Sequence, residues 1–148
     1  MKKVLTVDMT CKGVEMMDPK VMLVDDEELI RESVEMFFQS VEIGILTAAS
    51  GEECLGHLKE GFRGIILMDV MMPDMNGWDT IRRIVENDLY DGNIIVMLTA
   101  LDAPDNKMEG IQEYVTDYLT KPFDPDALME LLQYYSGLLN AIEADDGQ

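Results

Sequence analysis

Five short apolar runs recur along the chain, and a stretch with the periodicity of a helix follows each of them. The runs cover residues 21–24, 43–46, 65–68, 94–98 and 118–119. Runs of this length suit buried strands, and helices between consecutive strands allow those strands to be parallel neighbours. This alternation therefore predicts an α/β fold built on a parallel sheet.

The first helical segment shows a clear amphipathic pattern. Its apolar stripe consists of Ile30, Val34, Phe37, Phe38 and Val41, and its other face carries Glu28, Arg31, Glu32 and Glu35. Apolar residues at this spacing share one helix face, which can cover the sheet. Further patterns predict helices over residues 52–58, after Asn76 and over residues 105–113. The last helix is predicted to begin at Pro125, since Asp124 can cap it and proline suits a first turn.

Length and composition fit one globular domain. The chain has 148 residues, of which 47% are hydrophobic, enough to bury a core. Its formal charge of −19 repels nucleic acid and anionic membrane surfaces. No run approaches the roughly 18 apolar residues of a membrane span, so we expect a cytoplasmic protein that binds neither nucleic acid directly nor membranes. Cys11, Cys54 and the single histidine, His57, lack the spacing of a zinc site.

The predicted elements divide the chain into three parts. Residues 1–18 precede the first credible strand and form an N-terminal arm of unknown role, in which residues 4–7 are apolar. Residues 19–143 form the domain, and we expect residues 144–148 to be a disordered tail. Met16 or Met17 is an alternative start of the natural chain, which would remove the arm.

Residues that can carry chemistry follow four of the five apolar runs. Asp25 and Asp26 follow the first run, Asp69 the third, Thr99 the fourth and Lys121 the fifth. In an open parallel sheet, ligands bind beyond the carboxyl ends of the strands. We therefore expect these carboxylates, the hydroxyl group and the amine to meet at one edge of the sheet.

The three carboxylates of this group would repel one another without a cation between them. The candidate ligands are all oxygen atoms, which selects a hard ion, and an open site suits Mg²⁺ with several bound waters. A carboxylate can attack phosphorus and form an acyl phosphate, while a metal ion and a lysine offset the charge of the transferring group. Asp69, which stands alone after a central strand, is the best candidate for that nucleophile.

Four segments of the chain together resemble the CheY-like receiver domain of two-component response regulators. They read VMLVDDE from Val21, LMDVMMPDMNG from Leu67, LTA from Leu98 and YLTKPF from Tyr118, and the resemblance spans roughly residues 19–140. Each segment alone is a weak signal, but four in the right order at predicted strand ends are specific. The resemblance implies a flavodoxin-like, doubly wound, three-layer α/β/α fold whose five parallel strands lie in the order 2-1-3-4-5.

The resemblance also implies roles for the acidic residues. Asp69 matches the phosphoacceptor, and Asp25 and Asp26 match the acidic pair that holds Mg²⁺. Of this pair, Asp26 is expected to be the direct ligand. The backbone carbonyl of Met71 matches a further ligand of the metal. The expected cofactor is therefore Mg²⁺.

Other matched residues would respond to the phosphoryl group. Thr99 and Lys121 match the hydroxyl and ammonium groups that contact phosphoryl oxygens, and Tyr118 matches the aromatic residue whose rotation follows movement of that hydroxyl. Pro122 matches a cis-proline position. Gly77 fits the loop after the phosphoacceptor strand, where we expect it to supply backbone freedom.

The implied function is that of a phosphoacceptor signalling domain, which catalyses only its own phosphorylation and dephosphorylation. The expected phosphoryl donor is a sensor histidine kinase or a histidine phosphotransfer protein. Phosphorylation adds about −1.5 to −2 charge at Asp69 and biases a conformational equilibrium that a downstream protein reads. A phosphorylation-dependent homodimer is left open as the form that signals.

Each of these residues also has a purely structural interpretation. Asp25 and Asp26 could cap the first helix, because acidic residues favour a first turn. Thr99 could satisfy a backbone group at a strand end, and Lys121 could be a solvated charge. Tyr118 could simply pack against its neighbours, as strand tyrosines commonly do.

Two other functions compete with the receiver interpretation. A phosphatase of the haloacid dehalogenase type also uses an aspartate nucleophile and Mg²⁺, but it expects a second acid where this chain has Met71. A pseudo-receiver would act as an interaction module without phosphorylation. The chain also departs from the receiver pattern before the fifth strand, where residues 113–117 read EYVTD in place of the usual Gly-Ala pair.

Overall fold

The computed structural model describes residues 20–100 and 110–146, and it describes their side chains up to residue 137. Strands and helices alternate along this part of the chain. The strands are β1 (Val21–Val24), β2 (Leu46–Ala48), β3 (Ile65–Asp69), β4 (Ile94–Ala100) and β5 (Asp117–Lys121). The α-helices are α1 (Glu28–Ser40), α2 (Gly51–Lys59), α3 (Gly77–Glu86) and α4 (Pro125–Asp146). The predicted alternation is confirmed within these residues.

The strands form one sheet in the order β2-β1-β3-β4-β5, and every pair of neighbours is parallel. From β1 the chain moves outward to β2 and then crosses back past β1 to β3. The direction of winding therefore reverses between β1 and β3, where an open sheet of this kind binds its ligands. The predicted doubly wound topology is confirmed, and it locates the region in which to look for a site.

Helices cover both faces of this sheet. Alternate residues of a strand point to opposite faces, so two core layers form. One layer joins the sheet to α2 and α3 and contains Met22, Val24, Leu58 and Trp78. The other joins it to α1 and α4 and contains Val21, Leu23, Phe38 and Leu132. Burial on both faces explains why the inner strands have continuous apolar runs rather than alternating ones.

The second strand lies further along the chain than the sequence predicted. Residues 43–46 were expected to form it, but β2 runs from Leu46 to Ala48. Pairing with β1 decides these bounds, because Met22 pairs with Leu46 and Val24 with Ala48. Residues 43 and 44 lie ahead of the point where β1 begins, and Ile43 is 38% exposed.

The helix predicted over residues 105–113 lies mainly outside the described residues. Its described end is not α-helical: Gly110 forms a turn with φ of +85°, and a 3-10 helix follows at Gln112–Tyr114. Glycine adopts this left-handed conformation without strain, which suits Gly110 to the turn ahead of residues 113–117. The ring of Tyr114 packs edge-on against Tyr90, with centroids 5.0 Å apart, and fixes the approach to β5.

Asp124 caps the last helix as predicted. Its Oδ1 accepts the N–H of Asp126 at 3.1 Å, and α4 begins at Pro125. The helix continues to Asp146, so residues 144–146, which were expected in a disordered tail, are helical. Residues 138–146 contain neither glycine nor proline, which explains the continuation. Neither this helix nor any other in the described part of the chain is long and apolar enough to cross a membrane.

Candidate functional site

Parallel pairing brings the carboxyl ends of the strands to one edge of the sheet. Asp69 ends β3 opposite Leu98 of β4, and Lys121 ends β5 opposite Ala100 of β4. Asp25 directly follows β1, the other neighbour of β3. Asp25, Asp69 and Lys121 are therefore brought to the same edge of the sheet, next to the topological switch point, as their positions at strand ends predicted.

Lys121 joins the two buried carboxylates of this edge. Its Nζ lies 2.8 Å from Oδ2 of Asp25 and 3.2 Å from Oδ1 of Asp69. Asp25 is fully buried and Asp69 is only 5% exposed, so water and salt screen these charges weakly. One ammonium group thus faces two carboxylates, an arrangement that the solvated-charge interpretation of Lys121 does not explain.

The pKa values of Asp69 and Lys121 are shifted by burial and by this excess of negative charge. The pKa of Asp69 is raised to about 6, first by burial and then by the charge of Asp25, against the opposing effects of Lys121 and the N–H of Met71. Burial lowers the pKa of Lys121, but its hydrogen bond to Asp25 and the charge of Asp69 outweigh burial and leave that pKa above its usual value. A further cation would favour the ionised form of Asp69.

Three carboxylates of the site form a group that suits a divalent cation. Single oxygen atoms of Asp25, Asp26 and Asp69 all lie within 4.8 Å of one another. Asp26 is exposed, so the group opens to solvent on its side. Oxygen donors in an open, partly hydrated site fit Mg²⁺ better than a softer metal. Met71 lies beside them, since its N–H is 3.4 Å from Oδ1 of Asp69.

The turn between β1 and α1 does not use the aspartates as helix caps. The N-cap of α1 is Glu27, which makes no capping bond with its side chain. Oδ1 of Asp25 instead accepts the N–H of Glu27 at 2.9 Å, while Oδ2 accepts from Lys121. The helix-cap interpretation of Asp25 and Asp26 is therefore wrong, and Asp25 orders the turn while remaining in the site.

Thr99 and Tyr118 share one face of the sheet. Met97 of β4 pairs with Tyr118 of β5, and Thr99 lies two residues further along β4 on the same side. Thr99 is half-buried and Tyr118 is 38% exposed. The two residues are diagonal neighbours, and Thr99 directly follows Leu98, the residue that pairs with Asp69. The peptide bond between Lys121 and Pro122 is cis, as predicted.

Gly77, the first residue of α3, brings this helix against the backbone of Asp69. A Cβ added at Gly77 would lie 2.5 Å from the carbonyl oxygen of Asp69 and 3.1 Å from Cα of Val70. Asn76 caps the same helix, since its Oδ1 accepts the N–H of Asp79 at 2.9 Å. The φ of Gly77 is not positive, so close approach, rather than the expected backbone freedom, explains this glycine.

We expect Gly77→Ala to lower the free energy of unfolding by about 1–3 kcal/mol, the usual cost of overpacking against a fixed neighbour. Gly56→Ala is the matched control, because Gly56 lies within α2 and a Cβ there meets nothing within 4 Å. The control should gain roughly 0.5–1 kcal/mol from helix propensity. Denaturant unfolding of the two variants measures both effects, and equal stability of the two would refute the close-packing explanation.

Two other reactive side chains serve the fold. Nε2 of His57, in α2, lies 3.3 Å from the carbonyl oxygen of Thr47 in β2, so the histidine bridges these elements. Cys54 is fully buried, and burial raises the pKa of its thiol to about 12, which leaves it unreactive at neutral pH. Cys11 lies outside the described residues. Neither described residue reaches the acidic edge.

Arg31 is a contact of the site that the sequence did not reveal. The helical pattern placed it on the polar face of α1, yet its Nη1 donates to the carbonyl oxygen of Asp25 at 2.8 Å. Its position five residues after Asp26, in the first turn of α1, is compatible with this contact. The same position also suits a solvated arginine, so spacing alone does not decide between them.

Comparisons with known proteins identify the family. The model of the response regulator receiver domain matches residues 21–133. Protein PilG of Pseudomonas aeruginosa is 29% identical over 125 residues, which cover 84% of this chain and 93% of PilG. Response regulator Rre1 of Synechocystis is 31% identical over 114 residues, which cover 76% of this chain and 49% of Rre1. The chain thus spans most of PilG but about half of Rre1.

Solved structures show the same similarity. A CheY-like receiver domain protein of Methanospirillum hungatei is 49% identical, with a TM-score of 0.77 over 82% of this chain and 96% of that one. Chemotaxis protein CheY4 of Vibrio cholerae is 35% identical, with a TM-score of 0.68 over 79% of this chain and 98% of that one. The chain therefore belongs to the response regulator receiver domain family of two-component systems, as the sequence resemblance predicted.

Proposed function

We propose that this receiver accepts a phosphoryl group on Asp69 from a sensor histidine kinase or a histidine phosphotransfer protein. The observation that carries the proposal is the position of the Asp69 carboxylate. It ends the central strand, its Oδ1 lies 3.2 Å from Nζ of Lys121, and a carboxylate oxygen lies within 4.8 Å of those of Asp25 and Asp26. A nucleophile, a fixed cation and a metal-binding group thus share one small volume.

In the proposed reaction, a carboxylate oxygen of Asp69 forms a bond to phosphorus as the bond between phosphorus and the donor's imidazole nitrogen breaks. Lys121 offsets negative charge on the transferring group, and the Thr99 hydroxyl donates to a phosphoryl oxygen. Asp25, Asp26, Asp69 and the carbonyl of Met71 would hold Mg²⁺, which supplies further positive charge when bound. Receivers depend on Mg²⁺ in general, and the oxygen donors of this edge fit that ion.

The phosphoryl group adds about −1.5 to −2 charge beside Lys121 and Thr99. Thr99 moves towards it, and the ring of Tyr118 fills the space that Thr99 leaves. The diagonal placement of these two residues on one face supports this sequence of movements. Phosphorylation needs only to bias a population that already exists, so a shift of a few kcal/mol suffices.

The response is then read by a protein partner at the surface around β5. A response regulator receiver implies a histidine kinase or phosphotransfer partner upstream. We infer that the chain acts by protein contact in the cytoplasm, with a phosphorylation-dependent homodimer as one form of that contact. The only reactions assigned to it are its own phosphorylation and dephosphorylation.

Intact-mass measurement after incubation with Mg²⁺ and acetyl phosphate tests the proposal. We expect one phosphoryl adduct on the wild-type protein, none without Mg²⁺ and none on Asp69→Asn. Asp74→Asn is the matched control: Asp74 is exposed in the loop after β3, and its φ of +68° is one that asparagine tolerates. An adduct that persists in Asp69→Asn would refute the assignment. No adduct on any folded variant would favour the interaction module that works without phosphorylation.

A further inference from the structure

The carbonyl of Asp25 lies where the ladder between β1 and β2 ends. The N–H of Asp25 still donates to the carbonyl of Ala48 at 3.0 Å, but Ala48 is the last residue of β2. The carbonyl of Asp25 accepts Nη1 of Arg31 at 2.8 Å. Because Asp25 is fully buried, its carbonyl needs a donor of this kind. Strand pairing restrains the backbone of β1 as far as Val24, and the hydrogen bond from Arg31 restrains the next residue, Asp25.

The same contact closes a short loop around the acidic pair. The backbone N–H of Arg31 donates to the carbonyl of Glu27 at 3.1 Å, and the N–H of Glu27 donates to Oδ1 of Asp25 at 2.9 Å. The arginine side chain then returns from the first turn of α1 to the residue before Asp26. Three hydrogen bonds therefore hold the backbone that carries both aspartates against the helix.

We propose that Arg31 is a positioning residue for the metal site. It fixes the backbone of Asp25, and with it the carboxylates of Asp25 and Asp26, at the separation that a divalent cation requires. Lys121 bridges Asp25 and Asp69. In the metal-free protein, the mutual repulsion of three carboxylates with oxygens within 4.8 Å of one another still favours separation of the Asp25–Asp26 segment from Asp69, and Arg31 opposes that separation. The inference rests on the proposed function, because it takes these carboxylates as ligands of Mg²⁺.

The direction in which Mg²⁺ affinity changes when Arg31 is replaced distinguishes a positioning role from the effect of its positive charge. The guanidinium group is permanently charged and repels a divalent cation, so removing its charge alone would tighten Mg²⁺ binding. Removing a group that orients ligands has the opposite effect, and typically lowers metal affinity by about 10–100-fold. The two explanations therefore predict changes in opposite directions.

Calorimetric titration of the metal-free 148-residue chain with Mg²⁺ supplies the measurement. We expect Arg31→Met, which keeps the apolar stem, to raise the Kd for Mg²⁺ about tenfold. Arg31→Lys should recover part of this loss, since an ammonium group can donate to the same carbonyl without the fixed fork of arginine. Arg83→Met removes the same charge from an exposed position on α3 and should leave the Kd within about twofold of the wild-type value.

An Arg31→Met variant that binds Mg²⁺ as tightly as the wild type, or more tightly, would overturn the inference while leaving the proposed function intact. A wild-type protein that binds no Mg²⁺ would overturn both. Circular dichroism establishes that each variant is folded before titration. Should Arg31→Met fail to fold, Arg31→Gln takes its place with the same expected loss of affinity, because the shorter amide head does not span the distance that the guanidinium covers.

Discussion

Lys121→Met is expected to slow formation of the Asp69 adduct about a hundredfold, the usual cost of removing one charged donor from a reacting group. The Nζ that is lost lies 3.2 Å from Asp69 and 2.8 Å from Asp25. The same change should lower the free energy of unfolding of the metal-free protein by about 3 kcal/mol, because it leaves two buried carboxylates without their counterion. Mg²⁺ should restore part of that stability, since it binds the folded state.

Intact mass against time measures the first effect of Lys121→Met, and denaturant unfolding with and without Mg²⁺ measures the second. Lys59→Met is the matched control, since Lys59 is exposed in the last turn of α2. Its effect on stability should stay within the roughly 0.3–1 kcal/mol of a charge at a helix end. Wild-type rates of adduct formation in Lys121→Met would show that the lysine is a structural counterion only.

Phe38→Ala is expected to lower the free energy of unfolding by about 3–5 kcal/mol, the range for a large aromatic residue removed from a core. Phe38 is fully buried and belongs to the layer in which α1 and α4 cover the sheet. Its loss would leave a cavity beneath α1, the helix that also carries Arg31. Denaturant unfolding should show a lower midpoint with an unchanged slope.

Met36→Ala separates the packing effect of Phe38 from helix propensity. Met36 lies on the same helix but is 69% exposed, and alanine is a good helix former. We expect its free energy of unfolding to remain within about 0.5 kcal/mol of the wild-type value. A loss at Phe38 no larger than that at Met36 would mean that α1 contributes little to the core.

The alternation of strands and helices could be predicted because each of these elements has its own local pattern, whereas the strand order was implied by the family resemblance. The apolar stripe of α1 illustrates the limits of such patterns. Val34 and Phe38 are buried as expected, but Val41, at the end of the same stripe, is 40% exposed. The predicted bounds of β2 were also wrong, because the bounds depend on which residues pair with β1. Periodicity identifies a helix or strand and its apolar face, whereas the extent of burial depends on which element packs against that face in the folded protein.

The candidate site could be predicted because its residues follow strands whose ends must meet. Asp25, Asp69 and Lys121 needed no more than the parallel arrangement to come together. Arg31 and the close approach of Gly77 could not be found in this way. Both depend on the direction in which a side chain or a helix leaves its turn, and that direction is fixed by backbone geometry at the site rather than by residue spacing.

The alternating burial of β5 has a mechanical consequence for a charge placed on Asp69. Asp69 belongs to the central strand, which is buried along its whole length and paired on both sides. Along β5, half-buried and exposed residues alternate, and this strand has only β4 as a sheet neighbour among the described residues. The central strand is therefore more firmly held than β5, so we expect a displacement caused by charge at Asp69 to be larger along β5 than along the central strand.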